Sequence, residues 1–232
     1  MNKPYVTAAV LAAGLGSRFS TTETKQKTNL LGKSVVRRAV ELFDKAESVD
    51  DIIVVVRQDE KDFVKSELRE IKKPVKLVIG GNFRAESAKN AFLALNPKAD
   101  FIAIHDAARC ITAISDIENV INDAIKFGAA TASREVFDTV KLLDTDGLIC
   151  STQNRDTMRF VETPQVFSVS LYKKAISEIS ALDAGITDDN MLMEKIGVKV
   201  FPTKMEYPNV KITTPSDIFF AEFILKGKTY NE

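Results

Sequence analysis

The stretch Val6-Thr-Ala-Ala-Val-Leu-Ala-Ala-Gly-Leu-Gly-Ser-Arg18 indicates how this chain folds. Its first part, Val6–Leu11, is short and apolar, as is typical of a strand buried on both faces of a parallel sheet. The glycine turn that follows lets the backbone approach a ligand closely. A secretory signal peptide is the alternative, and it is disfavoured because the apolar run is short and Arg18 follows at once. We therefore expect a buried strand that ends in a glycine loop.

Strand-like and helix-like segments alternate beyond this stretch. Residues 52–56 form a β-branched run bounded by charges, and residues 60–71 have apolar side chains at helical spacing. Further strands are predicted at 76–79, 101–105, 129–132 and 198–201, and further helices at 35–45, 85–95, 115–127, 168–180, 188–196 and 216–225. Ser115 and Glu118 have the spacing of a capping box. The alternation predicts an α/β fold, with a mostly parallel, Rossmann-like sheet and helices on both faces.

This alternation breaks at residues 134–159. The segment mixes β-type residues with charges and with turns such as Asp144-Thr-Asp-Gly147. A hairpin that protrudes from the sheet fits this composition best. We therefore expect a single domain over residues 1–232, with an inserted β-arm at about 134–159.

The composition excludes several classes of protein. Of 232 residues, 32 are Lys or Arg and 32 are Asp or Glu, so the net charge is zero, whereas nucleic-acid-binding domains are normally basic. No apolar stretch approaches the roughly 20 residues that span a bilayer. One His and two Cys without a CxxC motif exclude a Cys/His zinc site and fit a reducing compartment. We expect a cytoplasmic protein that binds neither nucleic acid nor membrane.

Four predicted strands end in polar or glycine-rich segments. Because ligands bind outside the carboxyl ends of parallel strands, these segments are the candidate site. They are Ala12-Ala-Gly-Leu-Gly-Ser-Arg18, Gly80-Gly-Asn-Phe-Arg-Ala-Glu-Ser87, His105-Asp-Ala-Ala-Arg109 and Thr163-Pro-Gln165.

The first segment favours a phosphate-binding loop. It is not the dinucleotide fingerprint, because the third glycine would fall on Phe19, and no GK[ST] follows to make a Walker A loop. Arg18 and Lys25 carry the positive charge that phosphoryl or nucleotidyl transfer requires. The alternative is a tight turn with solvated charges.

The other strand ends carry hydrogen-bonding groups and one carboxylate. Ser87 falls in the first turn of a helix, where it is either a ligand contact or an ordinary N-terminal residue. Asp106, just past a buried strand, is a candidate ligand of Mg²⁺, and Arg109 either contacts phosphate or pairs with Asp106. His105 is more consistent with a hydrogen-bonded structural residue, because the chain has no second His.

Two later motifs have both functional and structural interpretations. Thr187 and Asp188 precede a predicted helix, so either is a helix cap as readily as a ligand contact. Lys211 precedes a Thr-Thr-Pro helix start and is either functional or solvated. With one His, no Ser/His/Asp or Cys/His set is available, and a covalent enzyme nucleophile is not indicated.

Taken together, these motifs resemble the 2-C-methyl-D-erythritol 4-phosphate cytidylyltransferase family over nearly the full length. The resemblance adds Asp138-Thr-Val-Lys141 and Lys211-Ile-Thr-Thr-Pro215 to the segments above, all in the family's order. It implies a nucleotidyltransferase that uses CTP and Mg²⁺, transfers CMP to 2-C-methyl-D-erythritol 4-phosphate and releases pyrophosphate. It also implies a homodimer formed through the arm.

The resemblance implies a role for each matching residue. The implied catalytic residues are Arg18, Lys25 and Lys211. The implied CTP-binding residues are Ala12, Ala13, Gly14, Gly16, Gly81, Arg84, Ser87, Asp106, Ala107 and Arg109, with Asp106 also on the metal. The implied acceptor-binding residues are Thr139, Arg155, Thr163, Thr187 and Asp188, and Thr139 would reach the partner's site.

Several residues depart from the family pattern and leave two alternatives open. The departures are Thr24, Lys27, Cys110, Arg134, Glu135 and Glu162. One alternative is a cytidylyltransferase for another alditol phosphate, such as ribitol 5-phosphate. The other is a nucleotide-binding regulatory protein without catalysis, which is disfavoured because Lys25, Asp106 and Lys211 are all present. A nicotinamide-dependent oxidoreductase is disfavoured by the failed fingerprint.

Overall fold

A seven-stranded sheet organises the computed structural model, which describes residues 3–14, 24–178 and 185–228. The strands are β1 Val6–Leu11, β2 Asn29–Leu30, β3 Lys33–Ser34, β4 Asp51–Val56, β5 Val75–Ile79, β6 Phe101–Asp106, β7 Ala129–Glu135, β8 Lys141–Leu143, β9 Ile149–Thr152, β10 Arg159–Ser168 and β11 Phe201–Lys204. The helices are α1 Val35–Lys45, α2 Lys61–Glu67, α3 Arg84–Leu93, α4 Ile114–Phe127, α5 Val169–Glu178, α6 Asn190–Lys195 and α7 Ser216–Lys228.

The order of the sheet is β11-β7-β10-β6-β1-β4-β5. β1 pairs in parallel with β6 and β4, and β10 alone runs antiparallel to its neighbours, β6 and β7. Because β1 has strands on both sides, its backbone is satisfied along both edges and its side chains face two cores. The prediction of an α/β fold with a mostly parallel sheet is confirmed.

Alternate residues of the central strands feed the two cores. In β1, Ala8 and Val10 pack with α1, α4 and α7, whereas Ala9 and Leu11 pack with α3, α5 and α6. This two-residue period is what a strand covered on both faces requires. The helices therefore lie on both faces of the sheet, as the sequence predicted.

The first turns of α1 and α4 differ in how their backbone N–H groups are capped. Ser34 caps α1 by accepting a hydrogen bond from the Arg37 backbone N–H at 3.2 Å. The predicted capping box at Ser115 is wrong, because α4 already begins at Ile114 without a side-chain cap. The Glu118 carboxylate instead accepts from the backbone N–H of Ser48 at 3.0 Å and ties α4 to the loop after α1.

Two predicted segments lie elsewhere in the sheet. Thr163-Pro-Gln165 is inside β10, at a shift in its register with β7, and not at a strand end. The last strand, β11, is Phe201–Lys204, so its predicted position at 198–201 is wrong. Val198 instead donates its N–H to the Met193 carbonyl at 2.9 Å and closes the end of α6.

A two-stranded hairpin of β8 and β9 stands apart from the main sheet. Its turn is held by Asp144, whose carboxylate accepts from the backbone N–H groups of Asp146 and Leu148. Both strands are exposed along their length. The chain leaves the main sheet at Glu135, the end of β7, and returns to it at Arg159, the start of β10. Both positions lie beyond the carboxyl end of β6, so the hairpin projects from the end of the sheet where β6 ends.

Candidate active site

A cavity of about 470 Å³ opens at the carboxyl ends of β1, β4, β5 and β6. This is the position at which parallel sheets bind ligands. Four cations and two glycines contribute to its lining, and Asp106 is its one acidic residue among the described residues. The lining consists of Leu11, Ala13, Gly14, Lys25, Gln26, Arg57, Gly81, Asn82, Phe83, Arg84, Ser87, Asp106, Ala108 and Lys211.

Asp106, at the end of β6, joins two cations from distant parts of the chain. Its carboxylate accepts from Arg84 Nε at 3.1 Å and from Lys211 Nζ at 2.7 Å. Burial alone would raise the pKa of Asp106, but the two cations outweigh burial and hold the pKa well below its usual range. Asp106 is therefore ionised and fixes both cations at the cavity wall.

Arg84 is held from its other side by a second carboxylate. Its Nη1 donates to Asp189 Oδ2 at 2.5 Å, and Tyr172 donates its hydroxyl to Asp189 Oδ1 at 2.6 Å. Gln165 accepts from the Asp189 backbone N–H at 2.8 Å. Burial opposes the charge of Arg84, but Asp189 and Asp106 outweigh it and raise the pKa of the guanidinium. Arg84 thus enters the cavity as a fixed cation.

Close contacts explain the glycine pair after β5. A Cβ on Gly80 would lie 2.4 Å from the Ala13 Cβ, and one on Gly81 would lie 2.3 Å from the Glu86 side chain. Ser87 Oγ accepts from the Gly81 backbone N–H at 3.0 Å. The absence of side chains therefore lets the turn after β5 lie against the loop after β1.

Hydrogen bonds from His105 and Thr163 hold the carboxyl end of β6 in place. The Thr163 hydroxyl bridges His105 Nδ1 and the Asp106 backbone N–H, which donates to it at 3.1 Å. His105 Nε2 donates to the Arg109 carbonyl at 3.0 Å. Burial lowers the pKa of His105 to about 4, so the ring is neutral near pH 7. His105 is a hydrogen-bonded structural residue, as the sequence indicated.

Other predicted site residues make contacts outside the cavity lining. Arg109 donates from Nη1 to the Asn209 carbonyl at 2.5 Å, and the Asp188 carboxylate accepts from the backbone N–H of Met191 at 3.2 Å. The Asp188 side chain thus satisfies one backbone N–H in the first turn of α6. Ala12 and Ala107 are buried, and their N–H groups bond to the carbonyls of Val55 and Leu11.

The residues predicted for the acceptor do not converge within one copy of the chain. Thr139 and Arg155 belong to the arm, where Arg155 donates to the Phe137 carbonyl. The Thr187 hydroxyl lies 3.4 Å from the Met191 sulfur. Gly16 and Arg18 lie outside the described residues.

Sequence reasoning missed several residues around the cavity. Arg57 and Gln26 line it, Asp189 accepts a hydrogen bond from Arg84, and Tyr172 donates to Asp189. Arg57 follows β4 directly, so inspection of that strand end would have found it. Asp189 carries no comparable signal, because its partner Arg84 is 105 residues away in the sequence, and Tyr172 acts only through Asp189.

The geometry defines a class of protein. Lys25, Arg57, Arg84 and Lys211 surround a cavity walled by glycine turns, which is the charge pattern that a polyphosphate requires. No group of three His, Cys, Asp or Glu side chains among the described residues makes a metal cage. None of the helices in these same residues has the length and apolar composition to cross a bilayer. The site is that of an α/β protein that binds a polyphosphate.

Comparison with known proteins narrows this class. A family model described as IspD: 2-C-methyl-D-erythritol 4-phosphate cytidylyltransferase matches residues 6–227. The protein of that name from Endomicrobium trichonymphae is 40% identical over 220 residues, covering 95% of this chain and 98% of that protein. The one from Clostridium perfringens strain SM101 is 34% identical, covering 95% and 99%.

A solved structure agrees with these relatives. The crystal structure of 4-diphosphocytidyl-2C-methyl-D-erythritol synthase from Anaerococcus prevotii superposes with a TM-score of 0.83 at 28% identity, covering 97% of each chain. The present chain belongs to the 2-C-methyl-D-erythritol 4-phosphate cytidylyltransferase family. The predictions of this family and of a CTP-dependent nucleotidyltransferase are confirmed. Neither an inactive regulatory protein nor another alditol phosphate as acceptor is favoured.

Proposed function

We propose that this enzyme forms 4-diphosphocytidyl-2-C-methyl-D-erythritol by joining the cytidylyl group of CTP to the phosphate of 2-C-methyl-D-erythritol 4-phosphate. A phosphate oxygen of the acceptor attacks the α-phosphorus in line, and the bond to pyrophosphate breaks as the new bond forms. The observation that carries the proposal is the cavity where Lys25, Arg84 and Lys211 meet beside Asp106. Family membership supports the identity of both substrates.

The chemistry needs no enzyme nucleophile. The acceptor phosphate is already ionised near pH 7, so the protein supplies positioning and stabilisation of the charge that develops at the α-phosphate. Lys25, Lys211 and, outside the described residues, Arg18 are the proposed catalytic cations. The two described lysines line the same cavity, and Lys211 is oriented by its 2.7 Å contact with Asp106.

CTP is proposed to bind along the two glycine turns. The proposed contacts are Ala12, Ala13, Gly14, Gly16, Gly81, Arg84, Ser87, Asp106, Ala107 and Arg109. Support comes from Gly14 and Gly81, which line the cavity without side chains and let a ligand approach the backbone. A polyanion in this cavity would face four described cations and one carboxylate.

Mg²⁺ is proposed to enter with the triphosphate. Mg²⁺ in nucleotide sites uses one or two carboxylates together with phosphate oxygens, so a cavity with one ionised carboxylate fits this ion. Asp106 would hold it, since a carboxylate has about four lone-pair positions and two of these now accept from Arg84 and Lys211. When bound, the ion neutralises triphosphate charge and polarises the phosphoryl oxygens.

The acceptor is proposed to bind near Thr163 with help from the arm of a second subunit. Thr163 lies beside Asp106, whereas Thr139 and Arg155 belong to the arm that projects from the cavity edge of the sheet. The arm also exposes Phe137, Leu148 and Ile149, and apolar groups of this kind are usually covered in an assembly. We therefore propose one domain over residues 1–232 and a homodimer joined through residues 134–159, with Thr187 and Asp188 at the acceptor side.

A cytoplasmic location is part of the same proposal. Both cysteines are free thiols, and one of them, Cys150, is exposed. Unpaired exposed thiols persist in reducing compartments.

Pyrophosphate release tests the function. The purified enzyme receives Mg²⁺ and CTP with 2-C-methyl-D-erythritol 4-phosphate, ribitol 5-phosphate or glycerol 3-phosphate, and ATP, GTP and UTP replace CTP as controls. Release is expected with CTP and the methylerythritol phosphate. Release with ribitol 5-phosphate alone would refute the acceptor, and CTP binding without release would favour the regulatory alternative.

Two variants and a matched control test the residues. Lys25→Ala and Lys211→Ala should each lower kcat by roughly a hundredfold, because each removes a charge that stabilises the transition state. Lys98→Ala removes an exposed lysine just before the amino end of β6, whereas the cavity lies at the carboxyl ends of the strands. This variant should leave kcat unchanged. If Lys25→Ala and Lys211→Ala keep the wild-type kcat, as Lys98→Ala should, the assigned roles are refuted.

A further inference from the structure

A short turn, defined here as the lysine turn, carries Lys25 and Gln26 into the cavity. It is the 3₁₀ turn Lys25–Lys27, with Thr24 before it and Thr28 after it. Gln26 is buried, and both Lys25 and Gln26 line the cavity. The direction in which Lys25 points therefore depends on what holds this turn.

The turn's own backbone bonds are few. Lys27 N–H donates to the Thr24 carbonyl at 3.0 Å, and Thr28 N–H donates to the Lys25 carbonyl at 3.2 Å. A single 3₁₀ turn has poor hydrogen-bond geometry and little stability by itself. Contacts with the rest of the protein must therefore fix its orientation.

One contact fastens the beginning of the turn. The Thr24 hydroxyl donates to Glu60 Oε1, and Glu60 is only 1% exposed. The other oxygen, Glu60 Oε2, has no hydrogen-bond partner among the described residues. A buried carboxylate is costly unless it is hydrogen-bonded, so the Thr24 hydroxyl is a contact that Glu60 cannot easily give up.

A second contact fastens the end of the turn to the same region. The Lys27 ammonium lies 5.5 Å from the centre of the Phe63 ring, within the range of a cation–π interaction. Phe63 is in α2, which begins directly after Glu60. Thr24 and Lys27 therefore both contact the start of α2, while the Thr28 carbonyl accepts from the Val35 N–H of α1 at 3.1 Å and the middle of the turn faces the cavity.

We propose that Thr24 and Glu60 are positioning residues that aim Lys25 at the triphosphate. The proposal rests on the proposed function of Lys25. Thr24 and Glu60 do not line the cavity themselves, so they act through the turn. Loss of their contact leaves Lys25 present but no longer held in its reactive orientation, and misplacement of about 1 Å has large effects on rate.

Replacement from either side of the contact tests the proposal. Thr24→Val removes the hydroxyl while keeping the shape, and Glu60→Leu removes the acceptor. Each should lower kcat about tenfold while the KM for the acceptor phosphate stays within twofold. Thr24→Ser restores a hydroxyl and should restore kcat to within about threefold of the wild-type value.

A matched control separates positioning from general stability. Thr203 in β11 donates its hydroxyl to Asp123 at 2.7 Å, which is the same type of contact far from the cavity. Thr203→Val should therefore leave kcat unchanged. If Thr24→Val and Glu60→Leu retain kcat as Thr203→Val does, the positioning role is refuted.

A double-mutant cycle distinguishes this proposal from the one on which it rests. In a Lys25→Ala background, Thr24→Val should change kcat by less than twofold, because the group it positions is gone. A further tenfold loss in that background would overturn the proposal. If Lys25→Ala alone leaves kcat unchanged, the role of Lys25 in the proposed function fails instead.

Discussion

Replacing Gly80 with Ala should disturb both stability and CTP binding. The new Cβ would lie 2.4 Å from the Ala13 Cβ and 3.0 Å from Ser87 Oγ. Carbon atoms in contact are normally about 3.5–4.0 Å apart, so the two loops must separate by roughly 1 Å. Overpacking of this kind costs about 1–3 kcal/mol, which lowers Tm by roughly 2–12 °C in a chain of this size.

The same displacement should weaken catalysis, because Ala13 belongs to the loop proposed to bind CTP. We expect kcat/KM for CTP to fall between tenfold and a hundredfold in the pyrophosphate assay. Gly227→Ala is the matched control, since Gly227 lies in α7 with nothing within 4 Å of the added Cβ. It should melt at or slightly above the wild-type Tm. A Gly80→Ala enzyme with wild-type Tm and wild-type KM for CTP would refute the packing argument.

Three further predictions follow from the site. Gly14→Ala places a Cβ where the described residues leave open space, so Tm should be unchanged while the KM for CTP rises about tenfold; equal KM values would remove Gly14 from the nucleotide site. Burial lowers the pKa of His105 from 6.5 to about 4. Between these two pH values the unfolded chain therefore binds more protons than the folded protein. The free energy of unfolding should be highest above pH 6.5 and should fall by about 3 kcal/mol as the pH is lowered to 4. Denaturant unfolding of the wild type and His105→Gln should show this decline only in the wild type. Asp106→Asn leaves Arg84 and Lys211 without their shared anion, and it should lower the free energy of unfolding by about 3 kcal/mol in urea titrations; a loss below about 1 kcal/mol would show that Asp189 alone suffices for Arg84.

The central sheet was predictable because its strands report burial directly. β1 and, after Asp51, β4 are apolar or β-branched runs, and such runs occur where a strand is covered on both faces. Their carboxyl ends could therefore be aligned before any contact was known. This alignment is what brought the glycine turns and Asp106 into one candidate site.

The predicted strand at 198–201 was wrong because its apolar residues before Phe201 pack against the core without forming a strand there. Val198 and Val200 pack against the core formed by α3, α5 and α6, and Gly197 has a φ of 71° at the end of α6. The run predicted as the last strand is thus partly a helix end. Thr163-Pro-Gln165 was predicted at a strand end, whereas it lies inside β10, where a shift in the register with β7 accommodates the proline.

The ion pairs between residues that are distant in the sequence could not be predicted. Arg84 and Asp189 are 105 residues apart, as are Asp106 and Lys211. No local pattern encodes such pairs, because they arise only when the strand ends converge. The sequence could identify charged candidates but not which of them neutralise one another.

The structure also gives partners to several departures from the family pattern. Glu162 is buried and accepts from Arg134 Nε at 2.5 Å, so two of these departures form one ion pair. Thr24 donates to Glu60. Cys110 is buried, and burial raises the pKa of its thiol to about 12, so it is protonated and unreactive near pH 7. These residues are accommodated by local contacts.

The most direct test of the account is to follow the oxygen atoms of the acceptor phosphate. The enzyme is supplied with CTP, Mg²⁺ and 2-C-methyl-D-erythritol 4-phosphate whose phosphate carries oxygen-18, and the products are analysed by mass spectrometry. Attack by the acceptor phosphate predicts that all of the label stays in 4-diphosphocytidyl-2-C-methyl-D-erythritol and that the pyrophosphate is unlabelled. Label in the pyrophosphate, or release of CMP without this product, would contradict the account.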